Sequence, residues 1–195
     1  SISHPPTAQS LTLRPSPRDT RSVDTPIKTL LIDNADSFTW NLEHLLAGAG
    51  AAVEVMRYGP AAFEAVAGRD LVVLSPGPGA PADYPAYKQL EDWDGPVLGI
   101  CLGMQILNEL EGGATGRLDG CVHGKADTVQ LWGRDWTVAR YHSLCCTEVA
   151  SSFEIVGRSH AGLPMALRHR GRPWLGLQFH PESFLTPHGG ELARL

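Results

Sequence analysis

From Lys28 onward the chain alternates short apolar runs with longer amphipathic stretches. Thr29-Leu30-Leu31-Ile32, Val53-Glu54-Val55-Met56, Leu71-Val72-Val73-Leu74 and Val97-Leu98-Gly99-Ile100 are such runs. Short, nearly continuous apolar runs predict strands buried on both faces. Between the first two, Phe38, Leu42, Leu45 and Leu46 share one helical face. Asp36 or Ser37 is the expected cap of that helix, and Gly48 and Gly50 its stop. A short helix is predicted over 61–67 and another from Leu102 to about Leu110, ended by Gly112-Gly113. Strands and helices alternating at this spacing predict an α/β fold with a doubly wound, mostly parallel sheet. After Gly113 the pattern changes. Segments near 121–132, 135–140, 153–159, 164–169 and 174–179 read as strands without long helices between them. They are expected to add antiparallel strands to one edge of the sheet, and a last helix is expected to begin at Gly189.

Residues 1–26 break this pattern. Pro5, Pro6, Pro15, Pro17 and Pro26 fall there, among Ser and Thr, with almost no aliphatic periodicity. The segment reads as a flexible tail or linker before one domain over 27–195. Arg14, Arg18 and Arg21 with few acids also resemble a transit peptide weakly. The first residue is Ser, which fits a processed product, an expressed fragment or a piece of a longer polypeptide, and the end of the sequence at Leu195, soon after the helix expected from Gly189, would fit a truncation there.

Composition narrows the function classes. The formal net charge of −5 argues against a nucleic-acid binder, which needs a basic surface to neutralise phosphates. No apolar run approaches the roughly 18 residues that span a bilayer. Cys101, Cys121, Cys145 and Cys146 show no disulfide framework, and no Cys/His spacing resembles a zinc site. Adjacent Cys145 and Cys146 read as reduced core or strand residues, which favours a reducing, cytoplasmic setting. An organelle is the alternative if the tail is a leader remnant.

Three segments carry chemistry. In Gly99-Ile100-Cys101-Leu102-Gly103 a cysteine sits where a strand ends and a helix begins, with a glycine two residues to either side. Such a sharp turn leaves no room for flanking side chains and pushes a nucleophile outward. The helix start behind it favours the thiolate, and the Leu102 N–H is placed to stabilise an oxyanion. Alone, this motif describes a buried core cysteine equally well. In Gln178-Phe179-His180-Pro181-Glu182-Ser183 the proline biases His180 towards extended backbone, where residues two apart share a side. Glu182 can then accept one imidazole N–H of His180 and leave the other nitrogen to a thiol. Alone, His-Pro-Glu also fits a surface loop. Ser75-Pro76-Gly77-Pro78-Gly79-Ala80-Pro81 combines stiff prolines with permissive glycines, a loop that can bring N–H groups close to a carbonyl. It lacks the Lys-Ser/Thr ending of a phosphate loop. The remaining histidines read as solvated or structural, with positional roles for His123 and His142.

Together these segments resemble the class I, or triad, glutamine amidotransferases over nearly all of 27–195. Leu31-Ile32-Asp33-Asn34-Ala35-Asp36-Ser37-Phe38-Thr39, the Ser-Pro-Gly-Pro-Gly loop, His123-Gly124-Lys125, Tyr141-His142-Ser143-Leu144 and Phe179-His180-Pro181-Glu182-Ser183 look like the branch serving chorismate enzymes. The resemblance implies a flavodoxin-like sheet with added antiparallel edge strands. It implies Cys101 as nucleophile, His180 as base and then acid, and Glu182 as its orienting partner. Gly77, Pro78 and Gly79 would line the glutamine pocket, with Gly79 and Leu102 supplying oxyanion N–H groups. Gln105, Ser143 and Leu144 would hold the substrate amino acid. The implied function is hydrolysis of L-glutamine, with ammonia passed to a chorismate-binding synthase, either a separate subunit or a fused domain. That synthase would make aminodeoxychorismate, anthranilate or a phenazine-type aminodeoxyisochorismate. A stand-alone γ-glutamyl cysteine hydrolase is the rival reading. No cofactor is implied in this domain, and any Mg²⁺ would belong to the synthase partner. Met104 departs from the branch, which usually carries histidine there, and loosens the assignment to one pathway.

Overall fold

A computed structural model describes residues 25–117 and 125–194. Residues 1–24 of the proposed tail and His123-Gly124 of the His123-Gly124-Lys125 motif lie outside the described residues, as does Cys121. Four strands alternate with helices: β1 (Ile27–Asp33), α1 (Thr39–Gly48), β2 (Ala51–Arg57), α2 (Pro60–Glu64), β3 (Leu71–Leu74), β4 (Val97–Ile100) and α3 (Leu102–Leu110). Two 3-10 helices, Pro81–Asp83 and Pro85–Asp92, occupy the β3–β4 connection. Beyond α3 come β5 (Ala114–Arg117), β6 (Lys125–Leu131), β7 (Arg134–Arg140), β8 (Leu144–Glu148), β9 (Phe153–Ser159), β10 (Pro164–His169), β11 (Trp174–Leu177) and α4 (Gly189–Leu192).

Nine strands form one sheet in the order β2-β1-β3-β4-β11-β10-β9-β6-β7. The first five are parallel. Their order is that of flavodoxin-like sheets, whose ligands gather at the carboxyl ends of the strands. Alternation along each strand separates two cores. Leu30, Ile32, Val72 and Leu74 pack with α2 and α3 on one face. Leu31, Val73, Ile100 and Leu177 pack with Leu42 and Leu46 of α1 and Leu192 of α4 on the other. Among the described residues no helix is long and apolar enough to cross a membrane.

The secondary structure departs from the sequence expectations in four places. The segment Trp174–Leu177, expected among the antiparallel additions, is the fifth parallel strand, paired with β4. Antiparallel pairing starts one strand later, from β11 to β10 and onward through β9, β6 and β7. The α1 N-cap is Phe38, with no side-chain cap bond. Asp33 takes over that work: its carboxylate accepts from Thr39 Oγ1 at 2.7 Å and from the Asp36 N–H at 3.2 Å, tying the end of β1 to the start of α1. Asp36 instead turns the chain, accepting the Phe38 N–H at 2.7 Å. Helix α2 ends at Glu64 and not near 67, because the Val66 N–H tightens onto the Phe63 carbonyl. Finally, β5 and β8 pair as a separate two-stranded sheet that no local pattern announced. Cys145 and Cys146 lie in β8 as buried free thiols.

Candidate active site

Cys101 occupies the turn between β4 and α3. Its N–H continues the strand ladder, donating to the Leu177 carbonyl at 2.7 Å. The backbone then reverses, with Cys101 at φ 54° and ψ −103°, a conformation rare for any residue but glycine. Two close approaches make this turn possible. A Cβ on Gly99 would lie 2.5 Å from the Gly103 carbonyl carbon, and one on Gly103 would lie 2.5 Å from the Leu74 carbonyl oxygen. The glycines let the first turn of α3 press against β3 and β4, and the thiol emerges at the carboxyl end of the parallel strands. Met104, the departure from the chorismate branch, is fully buried in the core cluster that holds Trp174. Its side chain packs where a Cβ on Gly176 would otherwise fall. The substitution therefore acts on packing between α3 and β11.

His180 follows β11, the strand beside β4. Its N–H donates to Ala139 on β7 at 3.1 Å, and its carbonyl accepts from Thr186 Oγ1 at 2.7 Å. The same Thr186 oxygen accepts the Ala139 N–H. Nδ1 lies 2.7 Å from Glu182 Oε1, whose side chain is wholly buried. The two meet across a turn closed by the Ser183 N–H on the His180 carbonyl, not along an extended segment as expected. Tyr141 and Phe38 stand edge-on to the imidazole, at 5.2 and 5.9 Å between ring centroids. Burial alone would lower the imidazole pKa. The closeness of the Cys101 sulfur, the hydrogen bond to Glu182 and the charge of both groups outweigh that burial and raise it to about 10. No regular hydrogen bond joins Nε2 to the sulfur in this geometry. Burial raises the nearby Asp36 carboxyl, and the Glu182 charge adds to that effect.

The Ser75–Gly79 stretch is pinned by Asn34. The Asn34 N–H donates to Ser75 Oγ and its side-chain amide to the Ser75 carbonyl, both at 2.9 Å, while Tyr87 donates to Asn34 Oδ1 at 2.7 Å. Tyr84 adds a bond to the Pro78 carbonyl at 2.9 Å. Opposite, the Leu144 carbonyl accepts from Gln105 Nε2 at 3.1 Å and lies 2.7 Å from His142 Nδ1. Arg140 Nε donates to His142 Nε2 at 3.0 Å. Because a guanidinium only donates, His142 is the neutral Nδ1–H tautomer and donates to Leu144. Gly77, Pro78, Gly79, Cys101, Leu102, Gln105, Ser143 and Leu144 thereby line one cleft of about 210 Å³, with Tyr141 and His142. His180 and Glu182 do not line it. A larger hollow of about 260 Å³, between the 3-10 helices and α3, contains no cysteine or histidine. Among the described residues no group of three His, Cys, Asp or Glu side chains is arranged to hold a metal ion. Sequence reasoning overlooked Gln178, whose fully buried amide lies 3.6 Å from Cys101 Sγ. A lone amide inside the apolar stretch 174–179 was the available signal, since buried polar groups need partners.

The two buried histidines act oppositely on pH stability. Burial, with the Arg140 charge adding to it, lowers the His142 pKa from 6.5 to about 4. Between those values the unfolded chain binds more protons, so folding stability falls as pH drops through that window, by about 3 kcal/mol in full. For His180 the folded value is the higher one. Its contribution is complete below about 6.5 and is lost as pH rises through about 10. His142→Gln keeps one acceptor and one donor but cannot titrate. Urea midpoints at pH 7, 5 and 4 should therefore show the wild type losing ground to this variant as pH falls. Parallel curves would refute this account of His142.

The class-I glutamine amidotransferase family model matches residues 30–195. Aminodeoxychorismate synthase of Streptomyces griseus is 41% identical over 184 residues, 85% of this chain and 25% of that protein. The pyocyanine-specific anthranilate synthase component 2 of Pseudomonas aeruginosa is 40% identical over 182 residues, 85% of this chain and 90% of that one. This chain thus spans about a quarter of the first relative and nearly all of the second. A solved glutamine amidotransferase from Thermotoga maritima, 18% identical, shares the fold with a TM-score of 0.65 over 81% of this chain and 77% of that one. A family match over most of the chain, joined by relatives near 40% identity, places the assignment beyond fold likeness: the chain belongs to the class-I glutamine amidotransferase family.

Proposed function

We propose that residues 27–195 form the amidotransferase domain of a chorismate-using synthase, hydrolysing L-glutamine through Cys101, His180 and Glu182. The observation that carries this reading is the buried His180–Glu182 pair at 2.7 Å, with the imidazole pKa raised by the neighbouring Cys101. The Cys101 thiolate attacks the side-chain carboxamide carbon of glutamine held in the cleft by Gln105, Ser143 and Leu144. Negative charge moves onto the carbonyl oxygen, where the Leu102 and Gly79 N–H groups receive it. The Leu102 N–H belongs to the first turn of α3 and has no intrahelical acceptor. As the C–N bond breaks, the His180 imidazolium gives its proton to the departing ammonia, and a γ-glutamyl thioester remains. Water then adds to the thioester while His180 takes its proton. The C–S bond breaks, glutamate leaves, and the thiolate–imidazolium pair is restored. Glu182 holds the Nδ1 proton throughout and keeps Nε2 aimed at the reacting atoms.

Ammonia released into water becomes unreactive ammonium, so a sheltered route to a chorismate-binding partner fits the chemistry. Similarity to aminodeoxychorismate synthase and to an anthranilate synthase component 2 supports that partner, as a fused domain or a separate subunit. The acceptor chemistry would reside in the partner, as would any Mg²⁺. Phe184 and Trp40 are 84% and 63% exposed and close in sequence to the His180 turn and to Phe38, which offers a partner apolar anchors. The free thiols of β8 are compatible with a cytoplasmic setting. Glutamate production should be slow for this chain alone and rise severalfold or more when the synthase and chorismate are added. Equal rates with and without the partner would sink the coupling and favour a stand-alone hydrolase.

A further inference from the structure

A single buried amide touches the sulfur of Cys101. Gln178 Nε2 lies 3.6 Å from Sγ, and Gln178 Oε1 accepts from Gln105 Nε2 at 3.1 Å. Nothing exposes this side chain to solvent, and its backbone N–H is fixed on the Met165 carbonyl at 2.9 Å. An amide can be placed two ways round, so its orientation must follow from its neighbours. Here it does. Arg140 can only donate, which makes His142 Nδ1 a donor to the Leu144 carbonyl. That carbonyl can only accept, so the NH₂ of Gln105 faces it. The second hydrogen of the same NH₂ points to Gln178, whose oxygen must therefore face Gln105. The Gln178 NH₂ is left directed at sulfur.

We propose that the Gln178 carboxamide is a catalytic group, donating an N–H to the Cys101 sulfur and stabilising its thiolate. This rests on Cys101 being the nucleophile. A neutral thiol or thioester sulfur is a weak acceptor, whereas a thiolate is a strong one. The bond therefore strengthens when the free thiolate exists: before attack, and again as sulfur leaves the thioester. Gln105 lines the glutamine cleft and also holds the Gln178 oxygen, so the cleft and the sulfur share one chain of hydrogen bonds.

The test is the pH dependence of Cys101 alkylation by iodoacetamide in the whole chain, which needs neither glutamine nor a partner. Gln178→Leu removes the donor. Gln178→Glu keeps the shape and the acceptor for Gln105 but sets an anion beside the sulfur. Both should shift the alkylation midpoint upward by about one pH unit or more. Thiolate at neutral pH should fall roughly 10-fold or more, the scale of one hydrogen bond to a charged group. Turnover should fall similarly in kcat, with a smaller change in KM. A purely structural Gln178 would leave the midpoint of a folded leucine variant within about 0.3 units of wild type, and that result overturns the proposal. If the leucine variant fails to fold, a side-chain resonance in the unaltered protein decides. In the unaltered protein, a ¹⁵N-glutamine side-chain resonance should titrate with the thiol and cease to do so in Cys101→Ala. A full set of glutamine side-chain resonances unmoved by that titration would also overturn it. If the unaltered chain hydrolysed no glutamine even with the synthase and chorismate present, while the variants still showed the midpoint shift, the proposed function would fall and this role would stand.

Discussion

Cys101→Ala is expected to reduce glutamine hydrolysis by on the order of a thousandfold or more, to the limit of detection, while the protein stays folded. The size follows from the chemistry. Without sulfur there is no thioester, and water must attack a carboxamide directly. A thousandfold loss corresponds to about 4 kcal/mol of barrier. Cys101→Ser should fare little better, because a serine hydroxyl is far harder to ionise than a thiol beside the same imidazole. Stability should change little, since the backbone at φ 54° is equally uncomfortable for alanine and cysteine. Glutamine should still bind, because Gln105, Ser143 and Leu144 are untouched. Ammonia release and glutamine binding measured on the same sample separate these effects. If a partner synthase is added, its reaction with supplied ammonium should survive. Normal glutamine hydrolysis by either variant would refute the assignment of Cys101.

The second large effect concerns the scaffold of the elbow. Gly103→Ala is expected to destabilise the fold by about 3 kcal/mol. The added carbon would lie 2.5 Å from the Leu74 carbonyl oxygen and 2.8 Å from its Cβ. Leu74 is fully buried, and its strand β3 lies between β1 and β4, so it has nowhere to move. Helix α3 would have to lift instead, and it carries the Leu102 N–H, Met104 and Gln105 with it. For a domain of this size the loss corresponds to a fall of roughly 6–12 °C in Tm. Activity should drop even below the melting range. Gly48→Ala is the matching control, since a Cβ there meets nothing within 4 Å and the site is helical. Equal melting temperatures for Gly103→Ala and wild type would show that the contact between α3 and β3 is looser than described.

Much of this was legible in the chain itself. Strands β3, β4, β9 and β10 coincide with apolar runs between turn residues, and α3 coincides with the stretch from the cysteine to the Gly-Gly stop. The direction of β11 was not legible, because pairing direction depends on where the chain has been and not on the local pattern. Thr115-Gly116 and Leu144-Cys145 form β5 and β8 only because they meet each other across the fold. The 3-10 helices begin at Pro81 and Pro85, where proline favours a first turn without identifying its type. At the site, glycine and proline spacing marked the elbow and the Ser75–Gly79 loop, and their residues line one cleft with Cys101. The buried amide of Gln178 was hidden by its neighbours Leu177 and Phe179, which made the segment read as plain strand. The Arg140–His142–Leu144 series was hidden for a different reason: its meaning lies in which atoms donate, and only geometry reveals that.

The pairing of β4 with β11 has a consequence for how the molecule comes to work. These strands are neighbours in space, yet everything from Cys101 to Pro173 lies between them in the chain. Neither the Cys101 N–H ladder bond to Leu177 nor the thiol's approach to His180 can exist until that long excursion has folded and returned. Closing such a distant contact is an entropically slow event. Thiol reactivity should thus arrive late during refolding, after helical signal has recovered, and serve as a clock for completion of the whole sheet.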